Sequence, residues 1–225
     1  MRINMASNNK ESLLDMDYSR VFISVPVQQH ISQLFHEVIN DLPKPDLSNI
    51  RPVATNNLHL TLKFLGNISK SDLPIIRKYL GTISTKQKTF CVTTGSLKCY
   101  PDPRNPRVIF LEIIDIDKKL LQLKTSIDQI LVQNGFQNGF NKEPRPYSPH
   151  LTLARTMQGS NRYYNRQLTR FLKSVGQIKP QIITVNTLLL MESILYKVSQ
   201  TLKIPYSFLL DKINANKDLA QFKPI

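Results

Sequence analysis

The tetrapeptide His-Leu-Thr-Leu occurs twice, at 59–62 and 150–153, in a chain that has four histidines in all. An imidazole with an ordinary pKa of about 6.5 can be neutral and accept a proton, or cationic and donate one, near neutral pH. Phosphodiester hydrolysis needs both states: a base to deprotonate water and an acid to protonate the departing oxygen. Two threonine hydroxyls beside the imidazoles could donate hydrogen bonds to the non-bridging oxygens, where charge grows in the transition state. The chemistry requires no metal, and no cysteine or acidic ligand accompanies either histidine in the motifs.

Both copies have the pattern of a strand, in which alternate side chains point to opposite faces. Leu58, Leu60, Leu62 and Phe64 are then expected toward a core, with His59, Thr61 and Lys63 facing the other way. In the second copy Leu151 and Leu153 face inward and His150 and Thr152 outward; strict alternation puts Arg155 on the leucine side unless the strand ends or twists there. If the two strands are neighbours, two imidazoles and two hydroxyls meet in one polar groove. Duller readings stand beside this one: histidines satisfied by backbone carbonyls, threonines chosen as strand formers, and Lys63 and Arg155 as solvated charges. Arg104, Arg107 and Arg145 lie in or beside proline-rich loops and read equally as phosphate contacts or as solvated. His30 and His36 are six apart on an expected helix, share no ligand face, and are left outside the site.

The elements that must position these residues alternate between strand and helix. RVFISVPV (20–27) reads as a buried strand, and 28–42 as a helix with Ile31, Leu34, Phe35, Val38 and Ile39 on one face, stopped by Pro43 and Pro45. Residues 69–83 read as a helix opening on a capping serine, and 88–100 and 107–113 as strands around the turn-rich PDPRNP. The stripe Leu120, Leu123, Ile127, Ile130 and Leu131 marks a helix over Asp117–Asn134, closed by Gly135, with Lys124 on its solvent side. A strand at 150–155, a helical pattern at 160–174 and strands at 182–191 and 194–209 complete the order, which suggests α+β rather than a regular parallel sheet.

At 225 residues the chain can bury a sizeable core, as one domain of two lobes or as two small domains. A net charge of +14 and a pI near 9.8 point to a polyanionic partner, nucleic acid first and an anionic membrane surface second. Two cysteines, Cys91 and Cys99, without CxxC spacing suggest neither a disulfide framework nor a cysteine-rich zinc site. No apolar run reaches the length of a membrane span and the N-terminus lacks the apolar stretch of a secretory signal, so a cytoplasmic protein with no membrane partner is expected.

The segments NNLHLTLKFLGNI (56–68), YPDPRNPRVIF (100–110) and RPYSPHLTLAR (145–155), in that order after RVFISVPV, resemble the 2H phosphoesterases. Within that superfamily the match is to the RNA 2',3'-cyclic phosphodiesterases, historically called 2'-5' RNA ligases. The resemblance implies a two-lobed α+β fold over 18–210, with antiparallel sheets lining a central cleft and helices outside. It leaves 1–17 as a flexible extension and 211–225 as a tail. It also implies a metal-independent, cofactor-free, monomeric hydrolase acting on RNA that ends in a 2',3'-cyclic phosphate, or on a cyclic nucleotide. His59 is then the general acid and His150 the base, with Thr61, Thr152 and Arg155 on the phosphate. A catalytically silent RNA- or nucleotide-binding module and ATP-independent 2'-5' ligation are the alternatives. The chain departs from the pattern at 188–210, which lacks the glycine that commonly marks the last turn.

Overall fold

The computed structural model describes residues 17–40, 50–102, 106–136, 146–156, 166, 169–171, 179–195 and 200–210. Strand β1 (Tyr18–Pro26) leads to helix α1 (Gln29–Asn40), short β2 (Ile50–Pro52), a 3-10 turn (Thr55–Asn57) and β3 (His59–Ser69). Helix α2 (Leu73–Lys86), β4 (Phe90–Tyr100), β5 (Val108–Ile114), α3 (Lys119–Gln133) and β6 (His150–Thr156) come next. The described chain ends with β7 (Ile182–Val185), β8 (Thr187–Leu195) and β9 (Gln200–Leu209).

All strands join one sheet in the order β7-β4-β5-β6-β3-β1-β8-β9, with β2 also on β6. Every pairing is antiparallel. The fold is α+β, as expected, and the two lobes are halves of this sheet that meet where β3 pairs β6. The topology dictates a curl. β7 lies at one edge and β8 next to the other, yet only Asn186 separates them in the chain, so the ends of the sheet must approach each other. The Gln28 side chain closes the gap: its Nε2 donates to the Thr184 carbonyl at 2.6 Å and its Oε1 accepts from the Thr184 N–H at 3.3 Å. The outer edge of β7 is thereby paired at Thr184, which shortens the run of open backbone groups on this short edge strand.

One face of the sheet is covered by the helices. Ile31 and Phe35 of α1, Ile76 and Leu80 of α2, and Leu120, Leu123, Ile127 and Leu131 of α3 form a single cluster with Val21, Ile23, Val25, Leu60, Leu62, Leu111, Leu151 and Leu153. The leucines of both His-Leu-Thr-Leu copies are therefore anchored in the core, each fully buried one contributing about 1.5–3 kcal/mol. That anchoring leaves the intervening histidines and threonines no choice of face.

Several boundaries differ from the sequence expectation. α2 starts at Leu73, where Pro74 fits the first turn. Ser69 belongs to β3, and its Oγ bonds Ser71 instead of capping a helix. α3 starts at Lys119, after Lys118 in the left-handed region (φ 53°). Its first free N–H groups, on Leu120 and Leu121, are taken by the Asp115 carboxylate. Leu34 is exposed at the edge of the α1 stripe. The two late strands expected are three, because the chain changes sheet edge at Asn186. The helical pattern at 160–174 lies largely outside the described residues, as do the two terminal extensions apart from Asp17.

Candidate active site

β3 and β6 are neighbours whose antiparallel register runs through Leu60 and Leu151, both fully buried. Carried one residue to either side, that register sets His59 opposite Thr152 and Thr61 opposite His150, on the face away from the helices. The two copies are related by a local two-fold, and each histidine is held the same way. Nδ1 of His59 lies 2.6 Å from the Asn57 carbonyl, and Nδ1 of His150 lies 2.9 Å from the Ser148 carbonyl. A carbonyl can only accept, so Nδ1 carries the hydrogen and Nε2 is left for other chemistry. Each imidazole also rests on a phenylalanine of the flanking strand: Phe22 at 5.0 Å from His59 and Phe110 at 5.3 Å from His150. The backbone carbonyls thus satisfy one nitrogen of each ring and fix its tautomer.

Both copies then break strand alternation at the same point. Along β1 and β3, Ser24 pairs Thr61 and Ile23 pairs Lys63, so Leu62 is an extra residue. Along β5 and β6, Phe110 pairs Thr152 and Ile109 pairs Ala154, so Leu153 is extra. A bulge places two residues against one and re-aims the side chains beyond it. Leu62 and Lys63 both turn toward the helices, and Phe64 swings out onto the histidine face, 58% exposed. In the second copy Leu153 and Ala154 are both buried and Arg155 is exposed. The expected sides of Lys63, Phe64 and Arg155 are accordingly reversed, and Arg155 joins the histidine face.

The inward turn of Lys63 has a counterpart on α3. Lys63 Nζ lies 3.1 Å from Asp128 Oδ1, and Lys124 Nζ lies 2.7 Å from Asp128 Oδ2. Lys124, expected on the solvent side, is buried and sits 5.8 Å from the centre of the Tyr147 ring. The Tyr147 hydroxyl donates to the Thr61 carbonyl at 3.2 Å, joining the approach to the second motif to the strand of the first. Only the i,i+4 spacing of Lys124 and Asp128 hinted at this network in the sequence.

Burial pushes the His59 imidazole below its ordinary pKa; the hydrogen bond to Asn57 opposes this, and the charges of Arg155 and His150 reinforce it. Arg51 pairs Arg155 across β2 and β6, adding a second exposed guanidinium that sequence reasoning did not single out. Glu112, opposite His150 in the ladder, is bound by Lys98 at 2.8 Å. A cavity of about 320 Å³ borders His59 on the side of Pro26, Val27, Ser32, Asn57 and Met191. Arg107 is exposed, while Arg104 and Arg145 lie outside the described residues. No three His, Cys, Asp or Glu side chains gather as a metal cluster among the described residues.

Residues 21–110 match the family described as LigT like Phosphoesterase. The chain is 31% identical over 140 residues to the RNA 2',3'-cyclic phosphodiesterase of Bacillus subtilis, covering 62% of this chain and 73% of that one. This chain belongs to the LigT-like phosphoesterases. A second LigT-like relative, the RNA 2',3'-cyclic phosphodiesterase of Escherichia coli, is 30% identical over 138 residues, covering 60% of this chain and 71% of that one. The LigT-like fold is also seen in solved structures. A Thermus thermophilus protein superposes with a TM-score of 0.69 at 20% identity, covering 85% of this chain and 97% of that one. Escherichia coli LigT complexed with 3'-AMP gives a TM-score of 0.64 at 22% identity, covering 86% and 99%. No helix among the described residues of this LigT-like phosphoesterase is long and apolar enough to cross a membrane.

Proposed function

We propose that this chain is a cytoplasmic, monomeric RNA 2',3'-cyclic phosphodiesterase that opens a terminal cyclic phosphate to a 2'-phosphate. The observation that carries the reading is the pair of His-x-Thr units on adjacent strands, each imidazole held through Nδ1 with its Nε2 left for proton transfer. The activity of the relatives named above agrees with it, and the charge of +14 suits an RNA substrate.

In the proposed reaction the cyclic phosphate sits between Thr61 and Thr152, whose hydroxyls donate to the non-bridging oxygens, with Arg155 offsetting their charge. His150 accepts a proton from water as the water oxygen bonds to phosphorus. The bond from phosphorus to O3' breaks, and His59 donates its proton to O3'. One water is consumed, a 3'-hydroxyl and a 2'-phosphate monoester form, and a proton passes back from His150 to His59 through solvent. The lowered pKa of His59 makes its imidazolium a stronger acid. The anionic phosphodiester beside it favours the protonated form once substrate is bound. The cavity beside His59 has the volume a nucleoside needs.

The test is incubation of the protein, in EDTA, with a short RNA ending in a 2',3'-cyclic phosphate, and then identification of the product by mass and phosphatase sensitivity. A 2'-phosphate is expected. Salt-sensitive binding with no product would reassign the chain as an RNA-binding module, and a 2'-5' linked product exceeding hydrolysis would reassign it as a ligase.

A further inference from the structure

Phe64 occupies in the first motif the position that Arg155 occupies in the second, five residues after the histidine. Each is brought onto the histidine face by the same bulge. Arg155 is a cation beside a phosphate site; Phe64 is a large apolar ring left 58% exposed next to the same site. Its placement is costly, since the bulge that turns Phe64 out also turns Lys63 into the helix face, where Asp128 must neutralise it. The ring is held from below by Phe22, at 5.9 Å between centroids, and Phe22 in turn lies 5.0 Å from His59. His59, Phe22 and Phe64 thus form a stepped aromatic row leading away from the acid. Arg20, two residues before Phe22 on the same strand face, is exposed at the outer end of that row, opposite Asn67.

We propose that Phe64 is a stacking platform for a nucleobase of single-stranded RNA, that of the nucleotide preceding the one with the cyclic phosphate. The inference rests on the proposed function and extends it to the RNA chain. An exposed aromatic with a cation, Arg20, beyond it is the recognition chemistry of single strands, because every base has a π-face and every linkage a negative charge. The assignment to the preceding nucleotide comes from distance and occupancy. Thr61 pairs Ser24 and Phe64 pairs Phe22, so across the bulge they are two strand residues, about 7 Å, apart, and the cavity for the terminal nucleoside borders His59 at the Pro26 end of β1, away from Phe64.

The experiment compares full-length wild type, Phe64→Ala and Phe64→Tyr on 2',3'-cyclic AMP and on an RNA hexamer ending in a 2',3'-cyclic phosphate. Phe64→Ala is expected to raise KM for the hexamer by about 5- to 150-fold, the range for loss of one base stack, and to leave KM for cyclic AMP within about two-fold. Phe64→Tyr restores the wild-type value, and an abasic residue at the penultimate position of the hexamer makes wild type and Phe64→Ala alike. An unchanged KM for the hexamer, or an equal rise for both substrates, overturns the proposal. If wild type turns over neither substrate, the proposed function fails and the platform is judged by binding of the same hexamer ending in a 3'-phosphate. Weaker binding by Phe64→Ala then supports it, and equal binding overturns it.

Discussion

Tyr147→Phe removes a hydrogen bond that couples the two halves of the site. The hydroxyl donates to the Thr61 carbonyl at 3.2 Å, and a neutral bond of this kind contributes about 0.5–1.5 kcal/mol net. The ring remains in the variant, so the contact with Lys124 and the packing on the core persist and no cavity opens. For a domain of this size a loss of about 1 kcal/mol lowers Tm by about 2–4 °C. Activity is expected to suffer more than stability. β3 and β6 register directly through one pair, Leu60 and Leu151, and the Tyr147 hydroxyl is a second tie, three residues before His150 and on the backbone of Thr61. A shift of about 1 Å between reacting groups can cost about 100-fold. The expected outcome is a fall in kcat of about ten-fold or more, with KM within about two-fold, measured on 2',3'-cyclic AMP well below Tm and alongside a thermal melt. An unchanged kcat in a variant whose Tm drops would show the bond to be structural only, and no change in either would refute the coupling.

Three further outcomes are expected. Thr61→Val and Thr152→Val should each lower kcat by about 100-fold with little change in KM, as loss of a transition-state hydrogen-bond donor does; a rise in KM alone would contradict the role. His59 should couple stability to pH. Its folded pKa is lowered by burial, so between that value and about 6.5 the unfolded chain binds more protons and stability falls as pH drops through the window. Urea melts across that range should show this slope in wild type and a shallower one in His59→Gln; an unchanged slope would refute it. Arg155→Gln should weaken binding of phosphate-ended RNA and reduce its salt dependence by about one phosphate contact; an unaltered salt slope would remove Arg155 from the phosphate site.

The residues legible in the sequence were those fixed by local pattern. His59, Thr61, His150 and Thr152 alternate with leucines that the core must bury, so their common face came from the strand period, and the repeat paired them. Arg155 was legible as a residue but its face was not, because the bulge at Leu153 is created by the register with β5. Lys63 and Phe64 changed sides for the same reason on β3. A lysine on a helix usually faces solvent, so Lys124 reads as exposed in the sequence; its burial depends on Asp128 together with Tyr147, which the chain supplies from beyond α3. Gln28 closing the sheet against Thr184 has no sequence signature, since the two residues meet only through the curl.

Varying the leaving group separates the proposed acid, His59, from the proposed base, His150. His59→Ala and His150→Ala are compared on an RNA 2',3'-cyclic phosphate, whose departing O3' needs a proton, and on a nucleoside p-nitrophenyl phosphodiester, whose departing phenolate does not. Both variants should lose at least about 100-fold in kcat on the cyclic phosphate. On the p-nitrophenyl ester His59→Ala should recover to near wild type while His150→Ala stays impaired. Full activity of either variant on the cyclic phosphate, or equal impairment of both on the activated ester, would rule out this division of acid and base.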